Sequence, residues 1–167
     1  TGGKSQSGTV GLPLADSVEI RVTDRQGQPV QGARVAFLPA AGAGSDSPDT
    51  STTNADGLAK ALWVLGTTSG SQTLSVMIPG QENVPSLTTT FTATALPGAA
   101  TSIALSSGDH QSAAMGTPLA DPPVVIVIDP FGNPVGGGGV EWSVQEAGEV
   151  DPAATTTGPG GLASTMR

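Results

Sequence analysis

Few side chains in this chain could do chemistry. His110 is the one histidine in 167 residues, and there is no cysteine. It stands in a polar Gly-Asp-His-Gln stretch, which predicts a surface loop and a solvated imidazole. Serines are plentiful, but no Gly-x-Ser-x-Gly turn and no second histidine supports a nucleophile–base pair. Glu141, Glu146 and Glu149 are the candidates for the paired carboxylates of glycoside hydrolysis. Alternation sets Glu141 opposite Trp142, on the outer side of a strand, and leaves the other two in a loop, so all three read as solvated charge. Asp46, Asp49 and Asp56 fall in one expected loop region and offer the hard oxygens that calcium takes. They lack the Asp-x-Asp-x-Asp-Gly spacing. A structural calcium is the one cofactor these residues leave open, and no other is expected.

Composition narrows the partners. The formal net charge is −8, with only six scattered Lys or Arg. Phosphate neutralisation needs a basic stripe, so a nucleic-acid partner is disfavoured, as is a polybasic membrane contact. No apolar run approaches the roughly 20 residues of a membrane-crossing helix, and membrane insertion is not expected of this segment. The 24 glycines and 14 prolines approach the content of disordered chains, but long alternating apolar stretches argue for a packed core. Thr, Ser, Val and Ala fill much of the rest, which suits short strands joined by many turns.

The elements that position these residues are written twice. Displaced by 105 positions, residues 1–37 match residues 106–142 without a gap, and 15 of the 37 pairs are identical; chance gives about two or three. The pairs include Gln6/Gln111, Asp16/Asp121, Asp24/Asp129, Gly27/Gly132, Pro29/Pro134 and Val35/Val140. After one deletion "STTNADGLA", Ser51–Ala59, pairs with "TTTGPGGLA", Thr155–Ala163. A period near 100 residues is a repeat of whole domains, since solenoid repeats run to roughly 20–50.

Within the first unit, Val18, Ile20 and Val22 alternate with Glu19, Arg21 and Thr23, the pattern of a half-buried strand. The same alternation predicts inward rows at Val35 and Phe37; at Ala59, Ala61, Trp63 and Leu65; at Leu74, Val76 and Ile78; and at Leu87, Thr89, Phe91, Ala93 and Ala95. No segment keeps a helical period. Short strands with regular turn signals predict an all-β sandwich. "DRQGQPVQGAR" and "DPFGNPVGGGG" then read as one hairpin used twice: glycine supplies a positive φ, proline fixes the exit, and the aspartate accepts turn amides.

The phrases "VTDRQGQPVQGARVAF", "TTNADGLAKALWVLGTTSGSQTLSV" and "FTATALPGAATSIALSSGDHQSAAMGTPLADPPVVIVIDPFGNPVGGGGVEWSV" resemble bacterial immunoglobulin-like repeats of the invasin and intimin (Big_1-like) type. Such repeats show a D-x-x-G-N-P-V-x-G-x-x-V-x-F/W phrase, then T-x-x-x-G-x-A, G-x-x-x-L and F-x-A-x-A. The resemblance implies tandem immunoglobulin-like Greek-key β-sandwiches in extracellular or cell-surface proteins, serving as stalks, spacers or adhesive modules, with no catalytic residues. It implies neighbouring domains of the same kind as partners; the absence of cysteine accords with bacterial surface arrays and equally with a cytosolic protein. The expected division is residues 1–96 as domain 1, 97–100 as a short linker and 101–167 as domain 2. With little slack in "LPGAA", Leu96–Ala100, an array of such units is expected to be semi-rigid.

The chain is out of phase with its repeat. "TSIAL", Thr101–Leu105, reads as the first strand of domain 2, and its counterpart in domain 1 would precede Thr1. Domain 2 lacks everything equivalent to its last two strands. Together with a start that is neither Met nor a leader, this reads as a mature or excised segment, and domain 2 is expected to be completed from outside these residues. A strand in domain 2 is also apolar on both faces: Val124, Ile126 and Ile128 stand where Glu19, Arg21 and Thr23 stand in domain 1. Gly136, Gly137, Gly138 and Gly139 replace Gln31–Arg34 nearby. These seven positions, with Phe131 at the hairpin tip, form the candidate protein interface. Three functions stay open: a surface spacer, a homopolymeric filament subunit completed by strand exchange, and a carbohydrate-binding module of a secreted enzyme. The last has Phe131 as its only plausible exposed ring.

Overall fold

A computed structural model describes residues 5–80, 85–145 and 148–166; Glu146 lies outside them. The chain divides between Leu96 and Pro97 into two compact units. Among the described residues there are strands and turns and no helix.

Unit 1 is an immunoglobulin-like Greek-key sandwich. Its strands are β1 (Gln6–Thr9), β2 (Val18–Arg21), β3 (Arg34–Pro39), β4 (Ser45–Ser47), β5 (Thr50–Thr52), β6 (Leu58–Val64), β7 (Gly70–Ile78) and β8 (Leu87–Leu96). One sheet runs β1-β8-β7-β3-β5 and the other β2-β6-β4. All its pairings are antiparallel except β1 with β8. Alternation turns one row of each sheet inward, and those rows meet: Val18, Val35, Phe37, Trp63, Leu65, Leu74 and Val76 are at most 1% exposed. The indole N–H of buried Trp63 donates to the Ala43 carbonyl at 2.7 Å, so the largest core side chain leaves no orphan donor. Buried Gln72 holds the turn before β7, accepting from Gly66 N at 2.8 Å and donating to the Thr68 carbonyl at 2.8 Å.

One strand carries no signal in the sequence, and two expectations needed correction. β1 carries the sequence QSGT, which has no alternating pattern, yet it extends the sheet by pairing in parallel with Ala93–Leu96. The Asp46 region is not a loop: β4 pairs with Leu62–Val64 and β5 with Arg34–Ala36. Leu87, placed inward by the alternation, is exposed, and burial along β8 begins at Phe91.

Unit 2 repeats the frame with fewer strands. β9 (Ser102–Ser107), β10 (Val124–Ile128) and β13 (Leu162–Ser164) form one sheet in the order β13-β10-β9, and β11 (Gly139–Glu141) pairs with β12 (Ala154–Thr156) in the other. β10, β11, β12 and β13 correspond to β2, β3, β5 and β6. The edge of β3 that pairs with β7 has no strand partner at β11 among the described residues.

The repeated residues are mostly hydrogen-bond brackets. Gln6 and Asp16 exchange side-chain amide and backbone groups at 3.0 Å, and Gln111 and Asp121 do the same at 2.7 and 2.8 Å. The Thr53 hydroxyl donates to the Val30 carbonyl at 2.6 Å and accepts from Ala33 N at 2.9 Å; Thr157 makes the same pair with Val135 and Gly138 at 2.7 and 2.8 Å. Gly57, at φ +73°, lies so close to β2 that a Cβ would meet the Val22 carbonyl oxygen at 2.5 Å, and Gly161 is equally confined by the Val127 carbonyl.

Gly57→Ala therefore combines a left-handed backbone with a backbone collision. Its expected cost is at least about 2 kcal/mol, and Thr53→Val is expected to cost about 1–3 kcal/mol by stripping two partly buried bonds. Denaturant unfolding followed by Trp63 emission measures both; a loss under about 0.5 kcal/mol in either would refute the bracket as a stabilising element.

Candidate protein interface

The apolar strand β10 alternates as its counterpart does. Val127 is buried, and Val125 packs beside it in the small core of unit 2. Val124, Ile126 and Ile128 occupy the alternate positions and are half-buried. Ile126 pairs with Ala104 on one side and Leu162 on the other, Val124 with Ser107 and Ser164, and Ile128 with Ser102. These partners carry no charge. In unit 1 the matching face holds a Glu19–Lys60 ion pair at 2.8 Å, whose hydrogen bond lowers the Glu19 pKa. Arg21 there donates from Nε to the Asp56 carbonyl at 3.2 Å. Unit 2 has replaced a charged sheet face with an apolar one. An open cleft of about 420 Å³ borders it, lined in part by Val124, Leu162, Thr155 and Thr156.

The four glycines do not join this face. They lie on the connection into β11, which belongs to the other sheet. Gly137 adopts φ +77° and donates to the Thr157 carbonyl at 2.8 Å. Gly138 N binds the Thr157 hydroxyl. A Cβ on Gly136 would stand 3.0 Å from the Gly158 carbonyl oxygen. Gly139 opens β11 opposite Thr156. Phe131 is at the hairpin tip, 54% exposed, with its N–H on Asp129 Oδ1 at 2.9 Å. The candidate interface residues thus fall into three places: a sheet face, a hairpin tip and a structural turn.

A larger apolar surface comes from the inward rows of unit 2. Ile103 and Leu105 are 58% and 53% exposed, and Met115 is fully exposed. The residue matching Met115 is Val10, at 2%. Trp142, matching buried Phe37, is half-buried with its indole N–H on the Thr155 hydroxyl at 2.7 Å. β9 is the strand the sequence predicts at Thr101–Leu105; opposite it, among the described residues, the second sheet holds only β11 and β12.

The candidate chemical groups remain dispersed. His110 projects into solvent 3.3 Å from Asp109, Glu141 is exposed on β11, and Glu149 is exposed in a loop. Among the described residues no three His, Cys, Asp or Glu side chains are grouped to hold a metal ion. Asp46 lies on β4 and Asp49 beyond it, while Asp56 is in the turn before β6. Burial and, next, the Asp49 charge raise the Asp46 pKa, and its Oδ2 is buried without a hydrogen-bond partner.

The hairpin aspartates differ. Asp24 is exposed and takes the N–H groups of Gln26 and Gln28 on Oδ1 at 2.9 and 2.8 Å. Asp129 is buried. Its Oδ1 takes Phe131 N and Asn133 N, and its Oδ2 takes Asn133 Nδ2 and Gly98 N, all at 2.9 Å. Burial pushes this carboxyl up, but the four donors outweigh it and hold the pKa at about 2.

No family model matches the chain, and no curated protein does. Two solved structures are similar over nearly its whole length. The D0-D1 domain of intimin matches at 17% identity and TM-score 0.43, covering 98% of this chain and 80% of that one. Domains 5-6 of the S-layer protein SbsC match at 15% identity and TM-score 0.39, covering 99% and 79%. The immunoglobulin-like fold stands on the strand order itself.

The two shifted carboxyls predict opposite pH effects. Asp129 is depressed below its ordinary 3.8, so its stabilisation is complete above about pH 4 and is lost as pH falls towards 2. A carboxyl 13C titration of the whole chain checks this, with a midpoint near the ordinary value as the refuting result. Asp46 is raised, so its ionisation weakens the fold as pH rises above 3.8. Asp46→Asn, which removes a charge and its repulsion from Asp49, is expected to raise the melting temperature at pH 7; a lower one refutes it.

Proposed function

We propose that the chain is a non-catalytic structural segment of a bacterial surface protein, a stretch of immunoglobulin-like spacer of the invasin and intimin type. The observation that carries this is the repeat: one sandwich design, with the same hairpin, threonine bracket and close-packed glycine, is written twice in 167 residues. A module copied in its structural brackets, while its few reactive groups are neither copied nor gathered, suits a mechanical role. The location is then extracellular or at the cell surface. An antibody raised against the chain is expected to label intact cells that express the parent protein; labelling that requires permeabilisation would overturn this.

Unit 2 in this proposal is completed by a β-hairpin equivalent to β7 and β8, supplied by a neighbouring domain of the same or another chain. Support comes from Ile103, Leu105, Met115 and Trp142, whose counterparts or inward positions ask for an opposing sheet. The same exposed residues favour a second reading, a filament subunit completed by strand exchange. A graft of residues 64–96 after Arg167 is expected to bury Trp142. Acrylamide quenching, with Trp142→Phe as the comparator, should then fall to the level of Trp63; unchanged quenching counts against completion. Sedimentation of the ungrafted chain separates the sources, because concentration-dependent polymers lost in Ile126→Arg would favour the filament.

A further inference from the structure

Asp129 holds more than its own turn. Like Asp24 it builds a hairpin through Oδ1, and its second oxygen accepts from a segment outside the hairpin; the position equivalent to Gly98 in the first repeat would precede Thr1. Asn133 occupies the position of Gln28, and its shorter side chain lets Nδ2 bond Asp129 Oδ2 within the same turn. That fixes the carboxylate plane and presents Oδ2 to Gly98 N at 2.9 Å. Thr101 N then reaches the Ile128 carbonyl at 2.9 Å, and β9 continues the pairing from Ser102 opposite Ile128.

On the other side of Pro97, Leu96 ends β8 opposite Thr9, and its carbonyl accepts from Val10 N at 2.9 Å. One residue therefore separates a position held in unit 1 from a position held in unit 2. That residue is a proline, with φ fixed near −65° and no N–H to give.

We propose that Asp129 is a positioning residue for the segment that enters unit 2: Asn133 orients its Oδ2, which clamps Gly98, so residues 98–101 are ordered as part of unit 2 and not as a free linker. Glycine at 98 is not a steric requirement, since a Cβ there would lie 3.5 Å from Oδ2, an ordinary contact. What the clamp uses is the backbone N–H. The inference does not depend on the surface role proposed above, and it holds for any array built from this unit.

The test uses the whole chain and Asp129→Asn. The amide oxygen can still accept the turn N–H groups, but its NH2 then faces two donors, Gly98 N and Asn133 Nδ2. Hydrogen exchange at Gly98 is expected to accelerate roughly tenfold, and the heteronuclear NOE of residues 98–100 to fall, while Val127, bonded to the Gly161 carbonyl, keeps its protection. Gly98→Ala, which keeps the N–H, should behave as the parent. Unchanged exchange at Gly98 in Asp129→Asn would overturn the clamp, and release of Gly98 with an unchanged heteronuclear NOE at residues 98–100 would overturn its role in ordering the segment. If Asp129→Asn unfolds unit 2, the unaltered chain decides: a scalar coupling from Gly98 15N to Asp129 13Cγ across the hydrogen bond is expected, and its absence refutes the contact.

Discussion

The threonine bracket is the constraint on which both units depend. One hydroxyl, at Thr53 or Thr157, donates to the carbonyl that ends the hairpin and accepts from the N–H that begins the next strand. It does so from the connection between β5 and β6, or between β12 and β13, which passes from one sheet to the other. Four residues on, a glycine carbonyl accepts the N–H of Val22 or Val127 at 2.8 Å. The corner is tied twice, and only a residue without Cβ lets the backbones come this close. The bracket is local, so it also forms in unit 2, where both sheets are present without strands corresponding to β7 and β8 among the described residues.

The core shows what the bracket cannot supply. Unit 1 assembles seventeen buried apolar residues around Trp63 and Phe37, whereas unit 2 assembles Val127, Val140 and Ala163 with three half-buried neighbours. Full burial of one such side chain contributes roughly 1.5–3 kcal/mol, and a folded domain's net stability is about 5–15 kcal/mol. Unit 2 thus buries far less apolar surface in its described residues than unit 1 does. Its exposed Ile103, Leu105 and Met115 are core residues by position without a core to enter.

Alternation made the long strands legible, because β2, β6 and β7 each bury one face and leave the other wet. β1, β4 and β5 were not legible: three- or four-residue strands of Ser, Thr, Gly, Gln and Asp carry no periodic signal, and their partners hold them in place. The repeat showed which residues matter before it showed why. Gln6 and Asp16 are ten residues apart with no pattern between them, and only the folded chain reveals that each satisfies the other's amide groups. The glycine run follows β10 closely in sequence, but the chain crosses to the other sheet there, so Gly136–Gly139 and the Val124–Ile126–Ile128 row occupy different layers.

The contrast between Asp24 and Asp129 lies beyond any pattern of residue types. Both are aspartates in the same phrase, and the substitution that separates them, Gln28 for Asn133, is conservative on every scale of polarity. Geometry makes it consequential. The Asn133 side-chain amide turns back within its own turn to bond the Asp129 carboxylate, whereas Asp24 takes the backbone N–H groups of Gln26 and Gln28. With asparagine the carboxylate gains a second face of donors, and burial becomes tolerable because both oxygens are satisfied. In unit 2 the hairpin anchors the residues that enter it, so a repeat phrase that looks purely structural also carries a positioning contact.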